Sequence, residues 1–140
     1  MEIIKKNKKI LAMILRKNYK NKGLKFFTPS SFSQQIALMS YDKGKLINCH
    51  YHKNISRKTI STQEVLFIKS GKLKVLLFDK NKYFCSKIIK TGDLILLASG
   101  GHGFKVLEKT EMIEVKQGPY NPKNDKVVFK SKKLSWKKNF

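Results

Sequence analysis

Three histidines and one glutamate offer the plainest chemistry in this sequence. His50 and His52 stand one residue apart in "INCHYH". In a strand, residues i and i+2 share a face, so both imidazoles would point the same way. Their Cα atoms would lie roughly 6.6 Å apart, from a rise of about 3.3 Å per residue. Such a pair either lines a polar surface or converges on one metal ion. His102 follows the glycine turn of "LILLASGGHGF". Glu64 opens the apolar run "EVLFIKSG". A carboxylate there faces solvent or meets a cation inside, because burial without a partner is costly. Together the four residues suit a divalent metal (Zn, Fe, Mn or Ni) with positions open to water or substrate.

Three further residues are candidates. Glu114 in "EMIEVKQGPY" shares a strand face with Met112 and Lys116, against Ile113, Val115 and Gln117. Facing inward, it could serve as an acid/base group; facing outward, it is an exposed glutamate. Arg57 is one of two arginines in a lysine-rich chain. Its planar fork could hold a carboxylate or phosphate of a ligand, or pair with a surface aspartate. Tyr120, after Gly118-Pro119, either closes a barrel mouth or packs a turn.

The elements that must position these groups follow from periodicity. Ile3, Ile4, Ile10, Leu11, Ile14 and Leu15 fall at roughly helical spacing among lysines, which predicts a short amphipathic helix over residues 3–16. It would pack on the domain or lie on a membrane surface. After Pro29 the texture is β. "SQQIALMSY" and "KLINCHYH" flank the turn signal "DKG"; "EVLFIKSG" and "KLKVLLFD" flank a second turn at Ser70-Gly71. "KNK", "KTGD", "GGHG" and "KT" separate four more short runs. Strands recurring at such spacing predict an antiparallel sandwich or barrel.

Read against these elements, the chain resembles a cupin. That family's first motif is G-x5-H-x-H-x(3,4)-E-x6-G. Here Gly44, His50, His52, Glu64 and Gly71 match its two ends, with eleven residues between His52 and Glu64. The second motif, G-x5-P-x-G-x2-H-x3-N, is approached by Gly92, Ala98, Gly100 and His102, one residue shorter in the turn and without the asparagine. The resemblance covers about residues 32–117. It implies an all-β, jelly-roll barrel preceded by the short N-terminal α-helix. It also implies His50, His52, Glu64 and His102 as metal ligands. The expected divisions are an N-terminal helix or arm (1–22), a cupin barrel (23–130) and a basic tail (131–140) that contains Trp136.

Composition sets the class. The 140 residues are 41% hydrophobic, enough for one domain with a core. No apolar run reaches the length of a membrane span. "ILAMIL" is short, flanked by lysines and lacks a cleavage site, and Cys49 and Cys85 read as free thiols, so a cytoplasmic protein is expected. The net charge of +22 is almost all lysine, spread through every segment with Asn and Ile. That pattern fits a coding bias better than a nucleic-acid footprint. The expected function is action on, or binding of, a small polar metabolite such as a sugar or nucleotide-sugar of polysaccharide biosynthesis. A metal-dependent isomerase, epimerase or dioxygenase is one form of it. The alternatives are a metal-free, non-catalytic ligand-binding cupin and a lysine-rich binder of nucleic acid or anionic surfaces. A homodimer covering an exposed sheet edge is expected.

Overall fold

The computed structural model describes residues 1–134; the remainder of the basic tail, with Trp136, lies outside the described residues. Among the described residues the strands are β1 (Glu2–Lys6), β2 (Lys9–Leu15), β3 (Gly23–Phe26), β4 (Ala37–Ser40), β5 (Glu64–Asp79), β6 (Lys82–Lys90), β7 (Leu94–Leu97) and β8 (Gly101–Lys116). They divide between two units: Met1–Lys17 with the chain from Ser61 onward, and Asn18–Ile60.

The larger unit is a six-stranded sheet in the order β1-β2-β7-β5-β6, with β8 also paired to β5. β5 is its spine. β8 runs antiparallel along all of it, from Glu64↔Lys116 to Phe78↔Gly101. On its other edge β7 pairs with Glu64–Phe67 and β6 with Lys72–Asp79.

The sheet bends where Gly71 interrupts β5. Gly71 has φ +88, and a Cβ there would strike the Lys109 carbonyl and Thr110. The ladder steps from Ser70↔Glu111 to Lys72↔Glu108. Thr110 Oγ1 fills the gap by accepting from the Lys72 N–H at 3.0 Å. On the opposite edge the Thr91 N–H donates to Gly71 O and the Gly92 N–H to Ile68 O. Irregularities on β5 and β8 and the β6–β7 turn thus fall on one line, and the sheet curls into a half-barrel.

The inner face carries the core. Ile14, Leu66, Leu73, Val75, Leu77 and Ile95 are wholly buried there. The outer face is also covered in part: Leu11, Met13, Leu76, Leu96 and Phe78 are buried, and the Phe129 ring meets Phe78 edge-on at 5.1 Å.

An ion cluster built on the buried Asp93 closes one seam of the curl. Asp93, 1% exposed, accepts from the Lys17 and Lys90 N–H groups and from Arg16 at 2.9 Å. Arg16 also donates to Glu2 and to the carbonyl of Ile88. Lys87 reaches Glu2 at 3.0 Å, and Lys6 stands over the Phe84 ring. β1 and β6, the two ends of the strand path, are therefore bridged by side chains.

The smaller unit is the β3–β4 pair, from Gly23↔Ser40 to Phe26↔Ala37. The Phe27 N–H extends it to Ile36 O, and Tyr19 packs edge-on against Phe27. Residues 45–60 of this unit form no strand and are exposed.

Four sequence expectations are corrected. The N-terminal segment is a hairpin, not a helix. Asn7, at φ 53, turns β1 into β2, and Leu11, Ala12, Met13 and Ile14 are all buried, so no alternation marks the strand. "KLINCHYH" is not the partner of β4; Gly23–Phe26 is. Ser70-Gly71 is not a hairpin turn but a bend within one sixteen-residue strand, and "KT" is the matching irregularity within β8. The all-β, barrel-like character holds at the level of the curled half-barrel.

Candidate functional site

Glu64 and His102 stand 38 positions apart, and the strand registers bring them together. Glu64 pairs with Leu97 at the end of β7. Ala98–Gly100 then carries the chain into β8, where His102 pairs with Leu77 at the far end of β5. Gly100, at φ +76, makes the crossing: a Cβ would strike the Phe78 carbonyl, so the passage is open only to glycine. Both ends of the bent β5 meet at this point. His102 Nε2 lies 3.1 Å from Glu64 Oε2.

Strand register also sets which face the site occupies. Partners across a ladder share a face. His102, Phe104 and Glu114 oppose the core residues Leu77, Val75 and Leu66. Lys116 opposes Glu64. All therefore project from the inner face, on the strand whose inward Val106 and Met112 are 47% and 39% exposed. The half-barrel is open along β8, and the polar cluster sits in that mouth.

The cluster is continuous. Lys116 Nζ lies 3.7 Å from Glu64 and 3.0 Å from Glu114. It stands 4.6 Å from the centre of the Tyr120 ring. His102 lies against Phe104 with ring centres 5.4 Å apart. The hydrogen bond from His102 holds the Glu64 carboxyl below its ordinary value of 4.5; burial opposes this and the Lys116 charge adds to it. The bond to Glu114 raises Lys116 and keeps it cationic. Glu64 is thus an anion that fixes the imbidazole ring by Nε2, leaving Nδ1 as the ring's second proton-transfer or hydrogen-bonding atom. Such a carboxylate-oriented imidazole can accept or deliver a proton, and Glu114 adds a second carboxylate.

The residues expected from sequence divide between the units. Glu64, His102, Glu114 and Tyr120 meet in the mouth. His50 and His52 lie in the smaller unit, exposed, with their rings edge-to-face at 5.3 Å. His50 Nδ1 lies 3.0 Å from the Asn48 carbonyl. Arg57 lies exposed in the same strandless segment. The fork argument applies instead to Arg16, the arginine that sequence reading passed over. Lys116 was likewise missed as a site residue, although its alternation with Glu114 is visible in "EMIEVKQ". Among the described residues, no group of three or more His, Cys, Asp or Glu side chains is placed to hold a metal ion. The mouth brings together one imidazole, the carboxylates of Glu64 and Glu114, and the ammonium of Lys116. No described helix is long and apolar enough to cross a membrane. Comparison of the chain with protein-family models, curated proteins and solved structures finds no significant match.

Proposed function

We propose that the larger unit is a cupin-like half-barrel that binds a small, hydroxyl-rich metabolite, of the sugar or nucleotide-sugar kind, in the mouth along β8. The observation that carries this reading is the Glu64–His102 pair, joined at 3.1 Å across the curl of the sheet. The side chains around it suit a sugar. Glu64, Glu114 and the His102 Nδ1 accept hydrogen bonds from hydroxyls, Lys116 donates them, and the Phe104 and Tyr120 rings offer apolar surface to a pyranose face. Opposite charges nearly balance within the cluster, so the uncharged sugar moiety is the part of such a ligand that it suits. The imidazole, oriented by Glu64, is also the group placed to move a proton on a bound substrate.

The test is thermal denaturation with a panel of monosaccharides, sugar phosphates and nucleotide-sugars. A ligand at about 100 times its Kd stabilises the folded state by about 2.7 kcal/mol. At least one class should raise Tm in the wild type and fail to do so in His102→Ala and Glu64→Gln. Absence of any shift, a shift that survives both substitutions, or stoichiometric divalent metal bound through His102 would overturn the proposal.

A further inference from the structure

One face of the β3–β4 ribbon is covered from within its own unit, and the other is bare. Partners across a ladder share a face, as do residues two apart along a strand. Lys25 and Leu38 therefore project to one side, and Phe27 and Ile36 continue it. That side is occupied: Tyr19 meets Phe27 edge-on, and Lys25 Nζ donates to the Tyr19 hydroxyl at 2.9 Å. Leu24, Phe26, Ala37 and Met39 project to the other side. There Leu24, Phe26 and Met39 are 50%, 58% and 61% exposed. A two-stranded ribbon is marginal alone in water, and large apolar side chains gathered on one open face mark an interaction surface.

Charge decides what can cover it. Lysine runs through the whole chain, so a basic surface by itself selects no partner. The Asn18–Ile60 unit, however, sets eight basic side chains against one carboxylate, Asp42, for a net +7. Lys20 and Lys22 lead into β3, and Lys43 and Lys45 follow β4, all exposed. Gly23 pairs with Ser40, so the segments carrying these four lysines meet at one end of the ribbon. In the strandless segment the exposed Ile47, Ile55 and Ile60 alternate with further basic residues. A second copy would bring the same charge and be repelled. A single nucleic-acid strand stacks its bases on aromatic platforms, and here aliphatic side chains outnumber aromatic ones. An anionic bilayer answers both features, with phosphates for the lysines and hydrocarbon for the bare face.

We infer that the smaller unit docks on an anionic lipid bilayer through the bare face of β3–β4. Leu24, Phe26 and Met39 enter the boundary between headgroups and acyl chains, and the lysines at the Gly23–Ser40 end engage the lipid headgroups. Apolar burial joined to the attraction of lysine for anionic lipid is what holds a protein on a membrane surface. None of the mouth residues takes part, so this docking stands or falls independently of the ligand proposed there.

Flotation of the full chain with lipid vesicles tests this. The wild type should float with vesicles of equal parts phosphatidylserine and phosphatidylcholine, and stay behind with phosphatidylcholine alone. Phe26→Ser combined with Met39→Ser leaves every charge in place. It should weaken binding to the mixed vesicles about tenfold or more, with an unchanged circular dichroism spectrum. Lys22→Glu combined with Lys43→Glu should weaken it at least as much. The indole of Phe26→Trp should be quenched by lipids brominated in their acyl chains, beyond any quenching of Trp136 in the wild type. Four results would overturn the inference. They are equal binding to both kinds of vesicle or to neither, binding to the mixed vesicles that survives Phe26→Ser with Met39→Ser (plain adsorption of a polycation), no added quenching in Phe26→Trp, and tighter binding of single-stranded oligouridylate that depends on Phe26.

Discussion

Removal of the Asp93 carboxylate tests how the half-barrel is held shut. Asp93 is 1% exposed and accepts from two backbone N–H groups and the Arg16 guanidinium. In Asp93→Ala the Lys17 and Lys90 amides lose their partner. A buried donor left unsatisfied costs about 1–3 kcal/mol. Arg16 keeps Glu2 and the Ile88 carbonyl and has 29% of its side chain exposed, so its own loss is largely recovered by water. The sum for the variant is about 2–4 kcal/mol. At this chain length each kcal/mol moves Tm by roughly 3 °C, so the melting point should fall by about 10 °C. Urea titration gives the free energy directly, with an unchanged slope showing that the same surface unfolds. Asp93→Asn, which keeps one acceptor, should lose about half as much. A loss below about 0.5 kcal/mol in Asp93→Ala would refute the view that this cluster fastens β2 to the β6–β7 turn.

Other perturbations have defined outcomes. The Glu64 carboxyl is held below its ordinary value of 4.5 in the folded state, so the unfolded chain binds more protons in that window and stability rises with pH through it. Wild type should therefore exceed Glu64→Gln by about 1 kcal/mol at neutral pH, with the gap closing as pH falls through the lowered pKa; a gap that does not narrow as pH falls below 4.5 contradicts the pairing. Gly100→Ala must place a Cβ against the Phe78 carbonyl at φ +76, and should destabilise by about 2 kcal/mol or more in urea titration. Leu77→Ala removes a wholly buried core side chain and should cost about 2–5 kcal/mol, whereas Leu46→Ala, at 84% exposure, should be near neutral by the same assay.

Alternation made part of the architecture legible in the sequence. "KLKVLLFD", "LILL" and the Lys80 turn were readable because Lys72-Leu73-Lys74-Val75 alternates and each short apolar run is bounded by turn residues. β2 was not, because both of its faces are buried and an unbroken apolar run of that length also fits a helix. Gly71 was read as a turn because glycine at positive φ serves a hairpin and a bulge alike; only the continuous β5–β8 ladder distinguishes them. The site divided along similar lines. Glu64, His102 and Glu114 could be singled out as ionisable groups at strand ends, but their meeting depends on how far β5 bends, and no local pattern encodes that. His50 and His52 carried the strongest motif signal, yet their segment finds no strand partner among the described residues. Arg16 escaped notice because its acidic partners, Glu2 and Asp93, are remote in sequence.

The most direct test of the mouth as a binding site is nitrogen-15 NMR of the three histidine side chains during titration with the sugar and nucleotide-sugar panel. His102 is identified by the signal lost in His102→Gln. In the free protein its shifts should report a proton on Nε2, the atom that faces Glu64. A binding ligand should then move the His102 Nδ1 resonance and leave those of His50 and His52 where they were. A His102 signal that never moves, or movement confined to His50 and His52, would contradict the account.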